Sequence, residues 1–458
     1  MKAIFYLLLS WLFALIVAER VSYDGYKAFH IEASENIKQI RDQLSTFDFV
    51  SLGCEEGHSD HLDIAIPPQS ISEFEALGLQ ATVISDDLGA DFAIEGAFEP
   101  YIRKKGTSLK SEEFVIPMPD LSWFNTYHNY SEHLGFFEDL NAAFPTNSEI
   151  FTAGKSYQGR DIYGIHFWGK AGKGQKPAIY FHATVHAREW IAAPVQEYLA
   201  WQLISGYLNE YEIRKLVDKY DFYMIPFVNP DGFVYTQSTD RLWRKNRQPR
   251  KGTTCVGTDG NRNWPYKWEV EGGSSTEPCS EIYKGKAPGD TPEIKAIVDF
   301  TKNLTESNEL KLFIDFHSYG QYILLPYGYD CDAVASNNKT QMKLAGNMAH
   351  HISKINGTQY TYGSSCSTLY PSTGTSPDYM AGKAGAEFAW TIELRPGWNG
   401  FNGFVLPPQD ILSTAQEVWE GIKYVLETMW INSIASLQTG TAMGDELNPQ
   451  VEFWRPVV

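Results

Sequence analysis

Positive charge is scarce in this chain: 38 Lys and Arg face 56 Asp and Glu, giving a formal net charge of −18. That balance argues against general nucleic-acid or anionic-membrane binding and favours a soluble protein. Cysteine is scarce as well. Cys54, Cys255, Cys279, Cys331 and Cys366 are the full set, and an odd number leaves at least one unpaired. Long apolar runs are confined to the N-terminus, where Ile4 to Val17 falls short of the ~20 residues that a membrane span needs. Lys2 precedes that run, and Ala18 then Glu19-Arg20 follow it. This reads as a secretory signal over residues 1–18, cleaved near Ala18, rather than as a membrane anchor. The mature chain is therefore expected to be exported, without a membrane span, as a secreted protein or alternatively a vacuolar one. Export makes disulfides available. Four sequons, at Asn129, Asn303, Asn338 and Asn356, are candidate glycosylation sites on that route.

What remains is ample material for a core: 458 residues, 43% of them hydrophobic. Residues 26–98 read as a compact unit. Tyr26 to Ile31 alternates as a strand does, Ile37, Ile40 and Leu44 have helical spacing, and His61 to Ile66 alternates again. Phe74 and Leu77 suit a short helix, and Ala81 to Ile84 another strand. This order predicts a small α+β open sandwich, assigned to residues 19–102. The basic, small and polar stretch from Arg103 to Glu113 has linker composition suited to proteolytic nicking, and residues 103–120 are taken as that connection. From about Trp123 the pattern changes. Apolar runs at Ile162–Phe167, Ala178–Phe181, Phe222–Val228 and Leu312–Phe316 alternate with helical segments such as Ala193–Leu203 and Thr291–Leu304. An α/β domain with a mixed, mostly parallel sheet covered by helices on both faces is predicted over 121–430, followed by a C-terminal extension, 431–458. Functional groups in such a domain gather at the carboxyl ends of the strands.

"FHATVHAREW", Phe181 to Trp190, lies at one such end. His186 and Glu189 are a short-spaced pair, and His317 in "LFIDFHSYG" is a distant third ligand, the set a catalytic zinc uses. His182 is the rival, because strand alternation places 182, 184 and 186 on one side; a satisfied strand histidine is its other reading. A metal-assisted hydrolysis also needs a base. Glu393 in "FAWTIELRP" is the candidate, since burial raises a carboxylate's pKa. Its bland alternative is a surface carboxylate or one paired with Arg395. Arg241 and Arg244 in "RLWRKNR", with Asn261 and Arg262 in "DGNRNW", suit a small anion, a carboxylate or a developing oxyanion.

These stretches, with "NPDGF", "FHSYGQ", "PYGY", "TLYPSTGTSPDY" and "TIELR", resemble the zinc metallocarboxypeptidases of the pancreatic carboxypeptidase A/B family, in family order across roughly 120–430. Residues 26–98 resemble the family's inhibitory pro-domain more weakly. The resemblance implies one Zn2+ held by His186, Glu189 and His317, Glu393 as general base, and Arg244 steadying the oxyanion. It also implies that Asn261, Arg262 and Tyr370 hold the substrate's terminal carboxylate, with Arg188, Arg241 and Tyr319 along the cleft. Asp259 becomes the carboxylate behind His186 that fixes its tautomer. Cys255–Cys279 and Cys331–Cys366 become disulfides, leaving Cys54 as the odd thiol. In this picture Pro377 forms the floor of the specificity pocket, Asp378 follows it, and Ser365 and Thr391 line the walls without charge. Peptide or protein C-termini ending in aromatic or aliphatic residues are then the expected substrate, with an activating protease as partner and the enzyme a monomer. The rival is a catalytically silent carboxypeptidase-like binding or cell-wall protein, from which Glu393 would be missing.

Overall fold

A computed structural model describes residues 20–33, 37–53, 61–103, 107–108, 114–115, 118–397 and 403–439. The expected signal, Cys54, most of 103–120 and the tail beyond 439 lie outside the described residues.

Strands β1 (Lys27–Glu32), β2 (Val50–Ser51), β3 (His61–Ile66) and β4 (Ala81–Ser85) form one antiparallel sheet in the order β2-β3-β1-β4. Strand alternation gives its faces different tasks. Phe29, Ile31, Leu62, Ile64 and Ile66 point to one side and bury Ile40, Leu44 and Phe74 from the helices Ile37–Leu44 and Ile71–Glu75. Ala28 and Ala65 point to the other and join a cluster with Leu242, Tyr319 and Phe404 of the large domain. His30 and Asp63 share that second parity. The sequence pattern anticipates three of these strands and two helices. It misses β2 and the helix Leu88–Glu95, a short helix holding Gly89 and capped by Asp87, whose Oδ1 accepts from the Ala90 amide at 3.2 Å.

Past a two-residue pairing of β5 (Thr107–Ser108) with β6 (Phe114–Val115) comes the large sheet. Its strands are β7 (Ser148–Lys155), β8 (Asp161–Phe167), β9 (Ala178–Ala183), β10 (Asp221–Ile225), β11 (Leu310–Gly320), β12 (Tyr322–Leu325), β13 (Thr361–Ser364) and β14 (Phe388–Gly397). They run in the order β13-β12-β14-β11-β9-β10-β8-β7. The centre, β10-β9-β11-β14, is parallel, and β7, β8 and the β12–β14 pair are antiparallel. β9 is buried along its whole length, as a strand covered on both faces must be. β10 stops at Ile225 instead of reaching Val228, because Pro226 has no amide to give the ladder.

One face packs Phe181, Ile314, Phe316 and Trp390 against the helices Tyr130–Ala143, Ala192–Asn209, Asn338–Asn356 and Ile411–Thr439. The opposite face packs Tyr180, Phe313 and Ala389 against Pro292–Ser307 and Ser376–Gly382. Pro292–Ser307 starts where a Thr-Pro-Glu sequence would start it, with Thr291 Oγ1 accepting from the Ile294 amide at 3.2 Å. The last helix runs without a break past position 430 to Thr439. Parity on the second face is what builds the site, since 182, 315, 317, 391 and 393 all follow it.

Candidate active site

Sheet register sets the site out as rows. His182 on β9, Asp315 on β11 and Thr391 on β14 are side by side, and His317 on β11 faces Glu393 on β14 one row further on. β9 ends at Ala183, and Thr184 takes a φ of 54°, a left-handed turn that a β-branched residue enters only at a cost of about 1–3 kcal/mol. That turn carries the chain to His186, three residues beyond the strand rather than at its end. The Asn229 amide, at 3.2 Å from the Thr184 carbonyl, and Asn229 Nδ2, at 3.2 Å from the Val185 carbonyl, hold it there.

His186, Glu189 and His317 converge, with one ligand atom from each lying within 4.8 Å of the others, and all three are buried. The Nδ1 atoms of the two histidines are 3.0 Å apart. His186 Nδ1 lies 2.8 Å from Glu189 Oε1 and His317 Nδ1 lies 2.9 Å from Glu189 Oε2. On the far side of each ring stands a carboxylate: Asp259 Oδ1 is 3.0 Å from His186 Nε2, and Asp315 Oδ2 is 3.0 Å from His317 Nε2. With the Nε2 protons directed at those carboxylates, two imidazole lone pairs and a carboxylate face one point. That donor set fits a divalent cation of zinc's type. Burial works against ionisation of Glu189, but His186 and His317 hold it well below the usual carboxylate range. Asp259 is likewise raised by burial and more than offset by Arg244 and His186. His182 stands outside this cluster, with Nε2 3.0 Å from Asp315 Oδ2.

Around the cluster, one cavity is lined by Arg244, Asn261, Arg262, Tyr319, Tyr370, Pro377 and Glu393, together with His186 and Glu189. Glu393 is pushed up to about 8, chiefly by burial, against the pull of His317. Arg395 does not pair with it, because its guanidinium is bonded to Glu417. Arg244 donates from Nη2 to Asp259 at 2.8 Å and keeps Nη1 3.7 Å from Glu189. Arg262 is braced through Nε on the Gly273 carbonyl at 2.8 Å. Gly374, at φ +66°, lets the loop before Pro377 close on Arg262, since a Cβ there would meet the Arg262 carbonyl oxygen at 2.6 Å. Asp378 turns away from the cavity, and its carboxylate accepts the amides of Gly328 at 3.0 Å and Tyr329 at 3.2 Å. Burial pushes it up to about 7.

The N-terminal unit covers the outer cleft. Arg241 is locked by Glu95, with Nε to Oε2 at 2.5 Å and Nη2 to Oε1 at 2.8 Å. Arg188 reaches the Gly53 carbonyl at 3.4 Å and stacks over Phe404, 4.0 Å from the ring centroid. Tyr319 gives its hydroxyl to Asp63. Gly53 also lines the cavity. Sequence reasoning misses Glu95, Asp63, Phe404 and Asp315. For the first three no local signal exists, because the contacts join distant segments. Asp315 had one, the Asp-x-His spacing that places both side chains on one face of a strand.

Cys255–Cys279 and Cys331–Cys366 are disulfides, with Cα–Cα distances of 5.1 and 4.8 Å. Of the sequons, Asn129 and Asn303 are exposed and Asn338 is half-buried. Asn356, also exposed, spends its amide on the Ser413 carbonyl at 3.2 Å and Glu417 at 3.1 Å. No helix among the described residues is long and apolar enough to cross a membrane.

Comparison with known proteins agrees with this geometry. The family model described as zinc carboxypeptidase matches residues 133–421. The chain is 41% identical over 421 residues to a metallocarboxypeptidase A-like protein of Trichophyton verrucosum, covering 91% of this chain and 96% of that one. Metallocarboxypeptidase A of Arthroderma otae is 39% identical over 428 residues, with 91% and 98% covered. Among solved structures, thrombin activatable fibrinolysis inhibitor superposes with a TM-score of 0.77 at 26% identity, covering 88% of this chain and 98% of its own. A match over most of the chain, on a fold that brings two histidines and a glutamate together, makes this protein a metallocarboxypeptidase and places it in the zinc carboxypeptidase family.

Proposed function

We propose that this metallo-exopeptidase removes C-terminal residues with aromatic or aliphatic side chains, using one zinc ion held by His186, Glu189 and His317. The convergence of those three donors, with His186, Glu189 and Glu393 lining one cavity and His317 in register beside Glu393, is the observation that carries the reading. Zinc, when bound, supplies Lewis acidity toward water and carbonyl oxygen. Glu393, in the same cavity as His186 and Glu189, takes the proton of the attacking water and returns it to the leaving amine. Arg244 places a fixed positive charge where the carbonyl oxygen becomes negative. Asn261, Arg262 and Tyr370 line the same cavity and offer the donors a terminal carboxylate needs. Engagement of that carboxylate is what restricts cleavage to the chain end. Pro377 gives the pocket an apolar floor.

Residues 19–102 act as an inhibitory pro-domain, because Glu95, Gly53 and Asp63 occupy Arg241, Arg188 and Tyr319 along the cleft. Cleavage within about 103–120 by another protease releases the block. The enzyme is an exported monomer carrying glycans at one or more of its sequons. Release of C-terminal amino acids from a peptide mixture, with and without a chelator, tests the reading. A protease-treated protein that frees none, or frees them equally well after its metal is stripped, would refute it.

A further inference from the structure

We infer that Asp315 is a positioning residue that sets the metal-binding tautomer of His317. The inference rests on the proposed zinc site. His317 Nε2 has two polar neighbours, Asp315 Oδ2 at 3.0 Å and Asn261 Nδ2 at 3.4 Å. Asn261 cannot turn its oxygen to the ring, because Oδ1 already accepts the Ser376 amide at 2.8 Å. Asn261 therefore presents an NH2 group, and the Nε2 proton has Asp315 as its acceptor. With the proton held at Nε2, the Nδ1 lone pair is free to point at Glu189 and His186, where the metal belongs.

The same Oδ2 atom does more. Ser376 Oγ donates to it at 2.5 Å, and His182 Nε2 stands 3.0 Å away. Ser376 begins the short helix Ser376–Gly382, and its neighbour Pro377 lines the substrate cavity. One fully buried carboxylate thus contacts a metal ligand and the first residue of the helix that carries Pro377, mirroring what Asp259 does for His186 and Arg244. Strand register makes this possible, since Asp315 sits between His182 and Thr391 and two positions before His317 on one face.

The test is zinc affinity of the full chain, measured by chelator competition. Asp315→Ala should weaken zinc by about 10–100-fold, and Asp315→Asn, which restores an acceptor without the charge, should fall between it and the parent. Ser376→Ala keeps both imidazole contacts and should stay within about threefold of the parent, as expected for a group that does not touch the ligand ring. Histidine 15N NMR of the unmodified, zinc-loaded chain needs no variant and should show His317 with its proton on Nε2. Parent-like zinc affinity in Asp315→Ala, a loss in Ser376→Ala as large as in Asp315→Ala, or a bare Nε2 would each overturn the inference while leaving the zinc site in place. An unmodified chain that holds no zinc would overturn the site itself.

Discussion

Glu95 and Arg241 form an ion pair that no solvent reaches, although one belongs to the N-terminal unit and the other to the cleft. Burial raises the Glu95 carboxyl and Arg241 draws it back, so the pair depends on both members staying in place. Removing one partner of such a pair strands the other charge in the interior, which costs about 3–5 kcal/mol. Here the cost falls on the covered state. Removal of the unit, as proposed, would expose Arg241 to water.

Glu95→Ala should therefore loosen the cover, and the intact chain should hydrolyse small peptide substrates faster than the unmodified intact chain. After proteolytic removal of the unit, the two should be equal. Equal activity before cleavage would show that this pair does not maintain latency.

A contact inside the N-terminal unit, beside its Tyr319 bond to the cleft, responds to pH. His30 Nδ1 lies 2.6 Å from Asp63 Oδ1, Asp63 takes the Tyr319 hydroxyl on its other oxygen, and Glu32 stands 3.5 Å from His30 Nε2. The bond to Asp63 raises the His30 pKa above its ordinary value, against the opposing effect of burial. Because the folded value lies above the unfolded one, the stabilisation is fully present below about pH 6.5 and fades as pH rises through the folded pKa. The intact chain should exceed His30→Gln in thermal stability at mildly acid pH, with the gap narrowing toward alkaline pH. A gap that widened as pH rose would have the wrong sign for this linkage.

Much of this was legible in the residues, and the exceptions share a cause. His186, Glu189 and Glu393 sit in short local patterns, and strand parity puts His317 on the right face, so periodicity and ligand chemistry reach them. Glu95 and Asp63 act across 146 and 256 residues of chain respectively, a separation no local pattern encodes. The strand limits differ for a similar reason. Pro226 ends β10 early by withholding one amide, whereas β11 continues to Gly320 because neighbouring strands still offer it partners.

The proposed base and the proposed metal ligands should separate cleanly in variants. Glu393→Gln leaves the three donors untouched and should keep one zinc per chain while losing a factor of about 10²–10⁴ in turnover. His317→Ala removes a donor and should lose stoichiometric zinc. Metal analysis beside activity, on intact and protease-treated protein, distinguishes the two. Full zinc content in His317→Ala would move the site elsewhere.

Specificity depends on which side chain faces the bound residue, and two neighbours in the first turn of the helix Ser376–Gly382 point in different directions. Pro377 lines the cavity. Asp378 is fully buried and spent on the amides of Gly328 and Tyr329, so it offers no charge to a substrate. Thr391, Ser365 and Leu324 complete the nearby wall, again without charge. A C-terminal Arg or Lys would have to leave water without a partner, a loss of about 3 kcal/mol or more, which is roughly a hundredfold in kcat/KM. Paired peptides ending in Phe or Arg should show that preference for Phe. Pro377→Asp should reverse it, because an aspartate there would face the pocket and also suit the first turn of the helix Ser376–Gly382. A parent enzyme that prefers the Arg peptide would mean that a carboxylate does reach the floor, and Asp378→Asn would then be the variant to measure.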